Sequence, residues 1–277
     1  ALRELARRKR VGQRLLAVGC MAERYTAEIQ QQVPKVDVVI GTRRLAEIAD
    51  VVSGGAQADQ QCSSTTPAVA AGFTPPFTST KGAPTFAALA PVKSAPAGLR
   101  PSSRHTAYLK IADGCSASCA FCVIPQIKGP YHSKPPTQVI EEARALARQG
   151  VKEAILVAQD TTAYGLDWGE RDALASLLEQ LVEAVPEIAW WRLMYGHPSH
   201  ISERLVRVMA EHPRICHYLD LPLQHAHPAV LKRMRRPSDV QVTRDLIAML
   251  RRAMPDVALR TAFIVGYPGE TEEEFQA

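Results

Sequence analysis

Cys115, Cys119 and Cys122 stand in the run Cys-Ser-Ala-Ser-Cys-Ala-Phe-Cys, a C-x-x-x-C-x-x-C triplet. Three thiolates match three irons of a cubane [4Fe–4S] cluster, whereas clusters that only carry electrons use four cysteines. A triplet therefore leaves one iron open, where a small molecule can bind and be reduced. The competing chemistry is structural zinc. A closed tetrahedral zinc site needs a fourth ligand, commonly from a second C-x-x-C or an H-x-x-x-H pair. His105 and His132 are the nearest histidines, and neither keeps a regular spacing to the triplet. The spacing suits the open cluster better. Zinc and three ordinary core cysteines stay open on the triplet alone.

Composition narrows the setting. The chain has 277 residues, 46% of them hydrophobic, enough for one large α/β domain and part of another. No run of about 18 apolar residues is present, so no membrane span is expected. The first ten residues, Ala-Leu-Arg-Glu-Leu-Ala-Arg-Arg-Lys-Arg, lack the apolar core of a signal peptide. They also lack an initiator Met, and the last residues read as the start of a helix, so a piece of a longer protein is expected. Six cysteines, three of them clustered, do not resemble a disulfide framework. They fit a reducing, cytoplasmic compartment with metal-bound thiolates. The net charge of +5 is mild. The basic run Arg7–Arg10 reads as a solvated helix end, with contact to an acidic partner such as RNA as the functional alternative.

Three stretches must position the cysteines. Residues 1–52 read as part of a small α/β domain: strands at Arg14–Gly19 and Val36–Ile40, helices over 23–32 and 43–52. Cys20 follows the first of these strands, where sites in open parallel sheets lie. Residues 53–104 hold seven of the twenty prolines and only five charges, with no lasting period. They read as a disordered linker, with Cys62 a bystander. From residue 105 to 277 short apolar strands alternate with amphipathic helices. Strands are expected at Tyr108–Ile111, Ala154–Ala158, Ile188–Tyr195, Tyr218–Leu221 and Val257–Val265. Helices are expected over 137–149, 171–185, 202–211, 227–234 and 240–253. This pattern implies a partial (βα)6-type barrel that stops before its last strand.

In such barrels reactive groups sit where strands end. The cysteines follow the first strand. Gln159 to Gly165 follow the second, Gly196-His197-Pro198 the third, Pro222 to Ala226 the fourth, and Gly266 to Glu270 the fifth. Turns explain the Gly and Pro. They do not explain Gln159, Asp160, Gln224 and His225 gathered at strand ends. Single histidines at such ends, namely His197, His200, His225 and His227, are read as ordinary hydrogen-bonding residues.

A cysteine triplet after the first strand of a βα repeat, with Phe121 before the third cysteine, resembles the radical S-adenosylmethionine (radical SAM) superfamily. Residues 107–135, Gln159 to Gly165, Leu219 to Ala226 and Thr261 to Glu270 resemble its methylthiotransferase branch. So does Gly19-Cys20-Met21-Ala22-Glu23-Arg24-Tyr25, around the third cluster cysteine of that branch's N-terminal domain. The tRNA-modifying members usually carry Asn after the second-strand Gln and Pro-Val-Gln-Ser-Gly after strand four. Gln159-Asp160-Thr161 and Leu221-Pro222-Leu223-Gln224-His225-Ala226 look instead like the members that modify an aspartate of a small-subunit ribosomal protein. Three departures stand out: the long linker, Lys128-Gly129 where Arg-Gly is usual, and a single visible cysteine of the three expected in the N-terminal domain.

The resemblance implies two [4Fe–4S] clusters in the whole protein. One is held by Cys115, Cys119 and Cys122, the other only partly represented by Cys20. It implies SAM cleaved reductively at the open iron, so that the cofactor carries the hard step. Gln159 is then expected at the methionine end of SAM. Gly266 and Gly269 are expected to let the backbone approach the adenine or ribose, with Gln224 and Arg260 as weaker contacts. The implied product is a methylthio group on the β-carbon of the aspartate, and the implied partners are the ribosomal protein and a reducing electron donor. Methylthiolation of a tRNA adenosine, another radical SAM reaction on the same barrel, and a non-enzymatic zinc module that interacts with the ribosome are the alternatives.

Overall fold

The computed structural model describes residues 2–52, 105–236 and 239–277. The chain divides into two compact units, residues 1–99 and 100–277. The expected linker 53–104, with Cys62, lies outside the described residues.

The first unit runs α1 (Leu2–Arg8), β1 (Leu16–Val18), α2 (Cys20–Arg24), α3 (Thr26–Gln32), β2 (Val38–Ile40), a 3-10 turn (Thr42–Glu47) and α4 (Ile48–Val52). β1 and β2 pair in parallel, Leu16 beside Val38 and Val18 beside Ile40. The helix expected over 23–32 is two helices. Tyr25 leaves helical geometry at φ −124° and ψ 37°, and the Thr26 hydroxyl donates back to the Ala22 carbonyl at 2.5 Å. The helix expected over 43–52 opens as a 3-10 turn, with Arg44 outside helical geometry. Lys9, from the basic run, donates to Asp37 at 2.6 Å, and Asp37 accepts from the Leu15 amide. That lysine ties the approach of β1 to that of β2, while Arg7, Arg8 and Arg10 of the same run are exposed.

The second unit begins β3 (Thr106–Lys110), β4 (Ala112–Asp113), α5 (Ile124–Lys128), β5 (His132–Ser133), α6 (Pro136–Arg148) and β6 (Glu153–Val157). It continues α7 (Ala173–Ala184), β7 (Trp190–Leu193), α8 (Glu203–Glu211), β8 (Tyr218–Asp220), α9 (Pro228–Arg233), α10 (Val240–Ala253), β9 (Ala258–Arg260) and α11 (Glu272–Phe275). β3, β6 and β7 form one parallel sheet, and β8 and β9 another. A parallel bridge between Trp191 and Ile215 links the two. The five strands thus follow each other in chain order, as a partial (βα) barrel requires.

Period-2 alternation sets the faces. Ala107 and Leu109, Ala154 and Leu156, Trp191 and Leu193 are buried in one core with Val139, Ala143 and Leu146 of α6 and Leu174, Leu177, Leu178 and Leu181 of α7. Tyr108, Glu153, Ile155 and Arg192 alternate with them and point to the opposite face. There Arg192 pairs with Glu153 at 2.6 Å. Strand five is shorter than the expected Val257–Val265. After Arg260 the chain pairs only through a bridge from Phe263 to Gln224, which sits in the left-handed region at φ 73°. The short antiparallel pair β4–β5 was not expected from the sequence.

Main-chain bonds tie the carboxyl ends together. The amides of Ile111, Thr161, Gly196, Leu221 and Gln224 donate to the carbonyls of Val157, Tyr195, Asp220, Arg260 and Ala262 at 2.8–3.0 Å. The segments that carry polar residues are therefore held side by side along one rim.

Candidate functional site

The cysteine loop leaves β4 at Gly114. This residue has φ 75°, and a Cβ there would lie 2.0 Å from the Pro130 carbonyl oxygen. Only glycine lets the chain turn so close to the returning strand. The Cys115 amide then donates to the Gly129 carbonyl at 3.1 Å. The Tyr131 amide donates to the Ser116 hydroxyl at 3.1 Å. Further on, the Cys122 amide bonds the Cys119 carbonyl at 3.1 Å, and the Ala120 amide bonds the Met234 carbonyl at 2.9 Å. The loop is thus pinned on one side by the 129–131 return and on the other by the end of α9.

Cys115 and Cys119 are half-buried, Cys122 is exposed, and all three are free thiols. Burial pushes the Cys115 thiol up, and the charges of Asp160, Cys119 and Cys122 add to that. A bound metal reverses this preference, because a coordinated thiol loses its proton outright. Arg236 donates to the Cys119 sulfur at 3.8 Å. A thiol triplet on one short loop, in mutual electrostatic reach and touched by a guanidinium, fits the donor chemistry of a [4Fe–4S] cluster. Of the two histidines offered as a fourth zinc ligand, His132 has its Nδ1 3.8 Å from Asp167, and His105 is exposed.

The other expected residues take varied positions. Gln159 is exposed beyond the end of β6. Next to it, Asp160 is buried and accepts from Thr162 Oγ1 at 2.7 Å, the Ala163 amide at 3.2 Å and His200 Nδ1 at 2.8 Å. Burial opposes its charge, but the hydrogen bonds from His200 and Thr162 outweigh burial and hold the carboxyl below its ordinary value. Arg260 is bound to buried Asp220 at 2.9 Å, with its guanidinium still largely exposed. Gln224 is part of the bridge to Phe263 and is set by backbone pairing. Gly266 and Gly269 have φ 70° and 78°, with open space where a side chain would stand. Turn geometry requires glycine at both, and the open space beside them leaves room for a ligand. Cys20 is exposed in the first unit, at the start of α2 and past the end of β1.

Three relationships were not legible as sites. His225 Nε2 bonds Glu270 Oε1 at 3.1 Å, which joins the loop after β8 to the loop after β9. His197 stacks on His200 with ring centroids 4.8 Å apart. Burial, and then the charge of Arg236, bring the His197 pKa down to about 4. The third is the Arg236 contact to Cys119. Polar residues at strand ends were the signal for the first two. Nothing local marks Arg236.

Residues 109–277 match the family model described as the radical SAM superfamily. The chain belongs to the radical SAM superfamily. Membership brings a [4Fe–4S] cluster and SAM as cofactors and leaves no ground for a zinc module. The chain is similar to the ribosomal protein uS12 methylthiotransferase RimO of Chloroflexus aurantiacus, with 49% identity over 279 residues, covering 100% of this chain and 59% of that protein. The protein of the same name from Roseiflexus sp. (strain RS-1) is 48% identical over 276 residues, covering 100% of this chain and 58% of that protein. The chain thus spans about three-fifths of the length of these curated relatives. Among solved structures, the cobalamin-dependent SAM radical enzyme OxsB with aqua-cobalamin and SAM bound aligns at TM-score 0.58 and 12% identity. That alignment covers 90% of this chain and 36% of OxsB, and it speaks for a shared radical SAM fold alone.

Proposed function

We propose that the chain is the radical SAM part of a methylthiotransferase that modifies an aspartate of ribosomal protein uS12. The observation that carries this reading is the 49% identity to a uS12 methylthiotransferase across the whole of the chain, cysteine loop included. Cys115, Cys119 and Cys122 would hold the cluster, and Cys20 would contribute to a second one. When bound, the cluster and SAM supply one-electron chemistry strong enough to activate an aliphatic C–H bond.

The chain's own residues hold and shape that centre. Gly114 and the Gly129–Tyr131 return fix the cysteine loop. Gln159, exposed at the rim, offers an amide to the methionine end of SAM. Gly266 and Gly269 offer open backbone to its nucleoside end, and Gln224 and Arg260 border the same rim. A reducing electron donor and the small-subunit ribosomal protein are the partners this reading needs, with ribosome or RNA contact alongside. Among the described residues no helix is long and apolar enough to cross a membrane. A ribosomal substrate supports a cytoplasmic setting for the reaction.

The test is mass spectrometry of uS12 and of tRNA nucleosides from cells lacking the gene. Loss of a methylthio group from uS12 alone, restored by the parent gene and not by Cys115→Ala, is the expected result. Loss from a tRNA adenosine with uS12 unchanged would sink the uS12 reading in favour of the sister reaction.

A further inference from the structure

Arg236 sits where the end of α9 meets the cysteine loop. Its guanidinium donates to the Cys119 sulfur at 3.8 Å and to the Pro222 carbonyl at 3.0 Å. Its Nε is buried without a hydrogen-bond partner. None of the ion pairs found among the described residues involves Arg236. A half-buried guanidinium without a carboxylate is costly, because charge is removed from water with nothing to balance it.

The surrounding backbone is built to hold it there. Met234 is fully buried and its carbonyl takes the Ala120 amide, so the same segment binds the cysteine loop through its main chain. Arg235 lies in the left-handed region at φ 55°, a conformation that is costly for a non-glycine residue. That turn brings the Arg236 amide to the Leu231 carbonyl at 2.9 Å. The missing countercharge lies on the sulfur side. A cysteine triplet carrying a cluster is anionic, and it becomes more so on reduction.

We propose that Arg236 is a positioning residue that sets the reduction potential of the cluster on Cys115, Cys119 and Cys122, by placing a fixed cation against the Cys119 thiolate. A cation and a hydrogen bond at a ligand sulfur both favour the more negative, reduced cluster and raise its potential. The reduction takes one electron from a donor such as dithionite, with no bond made or broken. The inference rests on the cluster reading of the triplet and not on the identity of the substrate.

The test is a dithionite titration, followed by electron paramagnetic resonance, of the anaerobically reconstituted full-length protein and its Arg236→Gln and Arg236→Lys variants. The signal followed is the one that shifts when SAM is added, which separates this cluster from any other. Iron and sulfide are counted in each sample. The expected result is a full cluster in Arg236→Gln whose reduction equilibrium is at least tenfold less favourable, about 59 mV for one electron. Arg236→Lys, which keeps the charge, should recover more than half of that shift.

An unchanged midpoint in Arg236→Gln would overturn the proposal. If SAM binding weakened in that variant while the midpoint held, Arg236 would instead be a contact to the SAM carboxylate. Equal loss of the cluster from both variants would also overturn it, since the arginine fork would then be holding the loop and not the charge. A parent protein that shows no SAM-responsive cluster signal would refute the site reading itself.

Discussion

Asp160 accepts a hydrogen bond from His200 Nδ1 at 2.8 Å, which joins the segment after β6 to the segment after β7. The same carboxylate takes the Thr162 hydroxyl and the Ala163 amide. Its main-chain carbonyl takes the Tyr131 hydroxyl at 2.8 Å, from the residue that precedes β5. One residue beside exposed Gln159 thus anchors three parts of the rim.

Asp160→Asn should cost about 2–3 kcal/mol of folding stability, because a buried charged acceptor is replaced by a group that brings donors of its own. Urea denaturation at neutral pH measures this. The carboxyl is held below its ordinary value, so below the unfolded pKa of about 3.9 the folded protein binds fewer protons than the unfolded one. Its contribution is full above that pH and is lost as pH falls through the folded value. The variant's stability should therefore fall less than the parent's on acidification below about pH 4. Parallel acid curves would remove Asp160 from this role.

His197 titrates in a different window. Its pKa is about 4, lowered by burial first and by the Arg236 charge second. The unfolded value is about 6.5, so the unfolded chain takes up the proton first as pH falls. The folded protein should lose on the order of 2–3 kcal/mol between about pH 6.5 and pH 4 through this residue. His197→Gln keeps a polar side chain and should flatten that part of the stability curve while leaving the Asp160 part in place. An unaltered slope above pH 4 in the variant would mean that another group sets it.

Much of this was legible in the sequence, and the limits are physical. Ala154–Ala158 and Tyr108–Ile111 were readable as strands because a sheet covered by helices needs short apolar runs. The cysteine triplet was readable because cluster ligands must be close in sequence to sit on one loop. The expected fifth strand, Val257–Val265, overruns β9, since Phe263 and Val265 are apolar but exposed, and pairing beyond Arg260 needs a left-handed Gln224 that no pattern announces. No pattern marks the break at Tyr25, because residues 23–32 keep helical polarity across it. Arg236 lies 117 residues from Cys119, and only the return of α9 to the cysteine loop brings them together. His225 reads as an isolated histidine, because its partner Glu270 comes from the next βα unit.

Gly114→Ala tests whether the cysteine loop depends on its tight entry. A methyl group there would stand 2.0 Å from the Pro130 carbonyl, at a φ of 75° that side chains rarely adopt. The backbone must move, at a cost of about 1–3 kcal/mol. Movement at this point shifts Cys115 directly. Reconstituted Gly114→Ala should hold less than about half the parent's iron while its far-ultraviolet circular dichroism stays that of the parent. Gly169→Ala is the control: its φ is 83°, but nothing lies near the added methyl and it is remote in sequence from the cysteines. Equal iron in both variants would show that the entry turn does not govern the loop.

The pair His225 and Glu270 gives the last prediction. The His227 amide donates to His225 Nδ1 at 2.9 Å, so the ring proton sits on Nε2 and is donated to Glu270. Glu270 takes the Tyr267 amide with its other oxygen at 2.8 Å, which closes the Gly266–Gly269 turn. The His225 bond, with the Tyr267 amide behind it, holds the Glu270 carboxyl below its ordinary value. The turn proposed for the nucleoside end of SAM is thus held by a side chain from the preceding βα unit. His225→Ala removes the donor and frees the turn, and should weaken SAM binding about tenfold, or ~1.4 kcal/mol. His225→Gln can still present an N–H and should recover part of that loss. Equilibrium dialysis of labelled SAM against cluster-loaded protein measures both, and the iron content should match the parent's in each. SAM affinity equal to the parent's in His225→Ala would mean that the turn is not held by this bond or does not meet the cofactor.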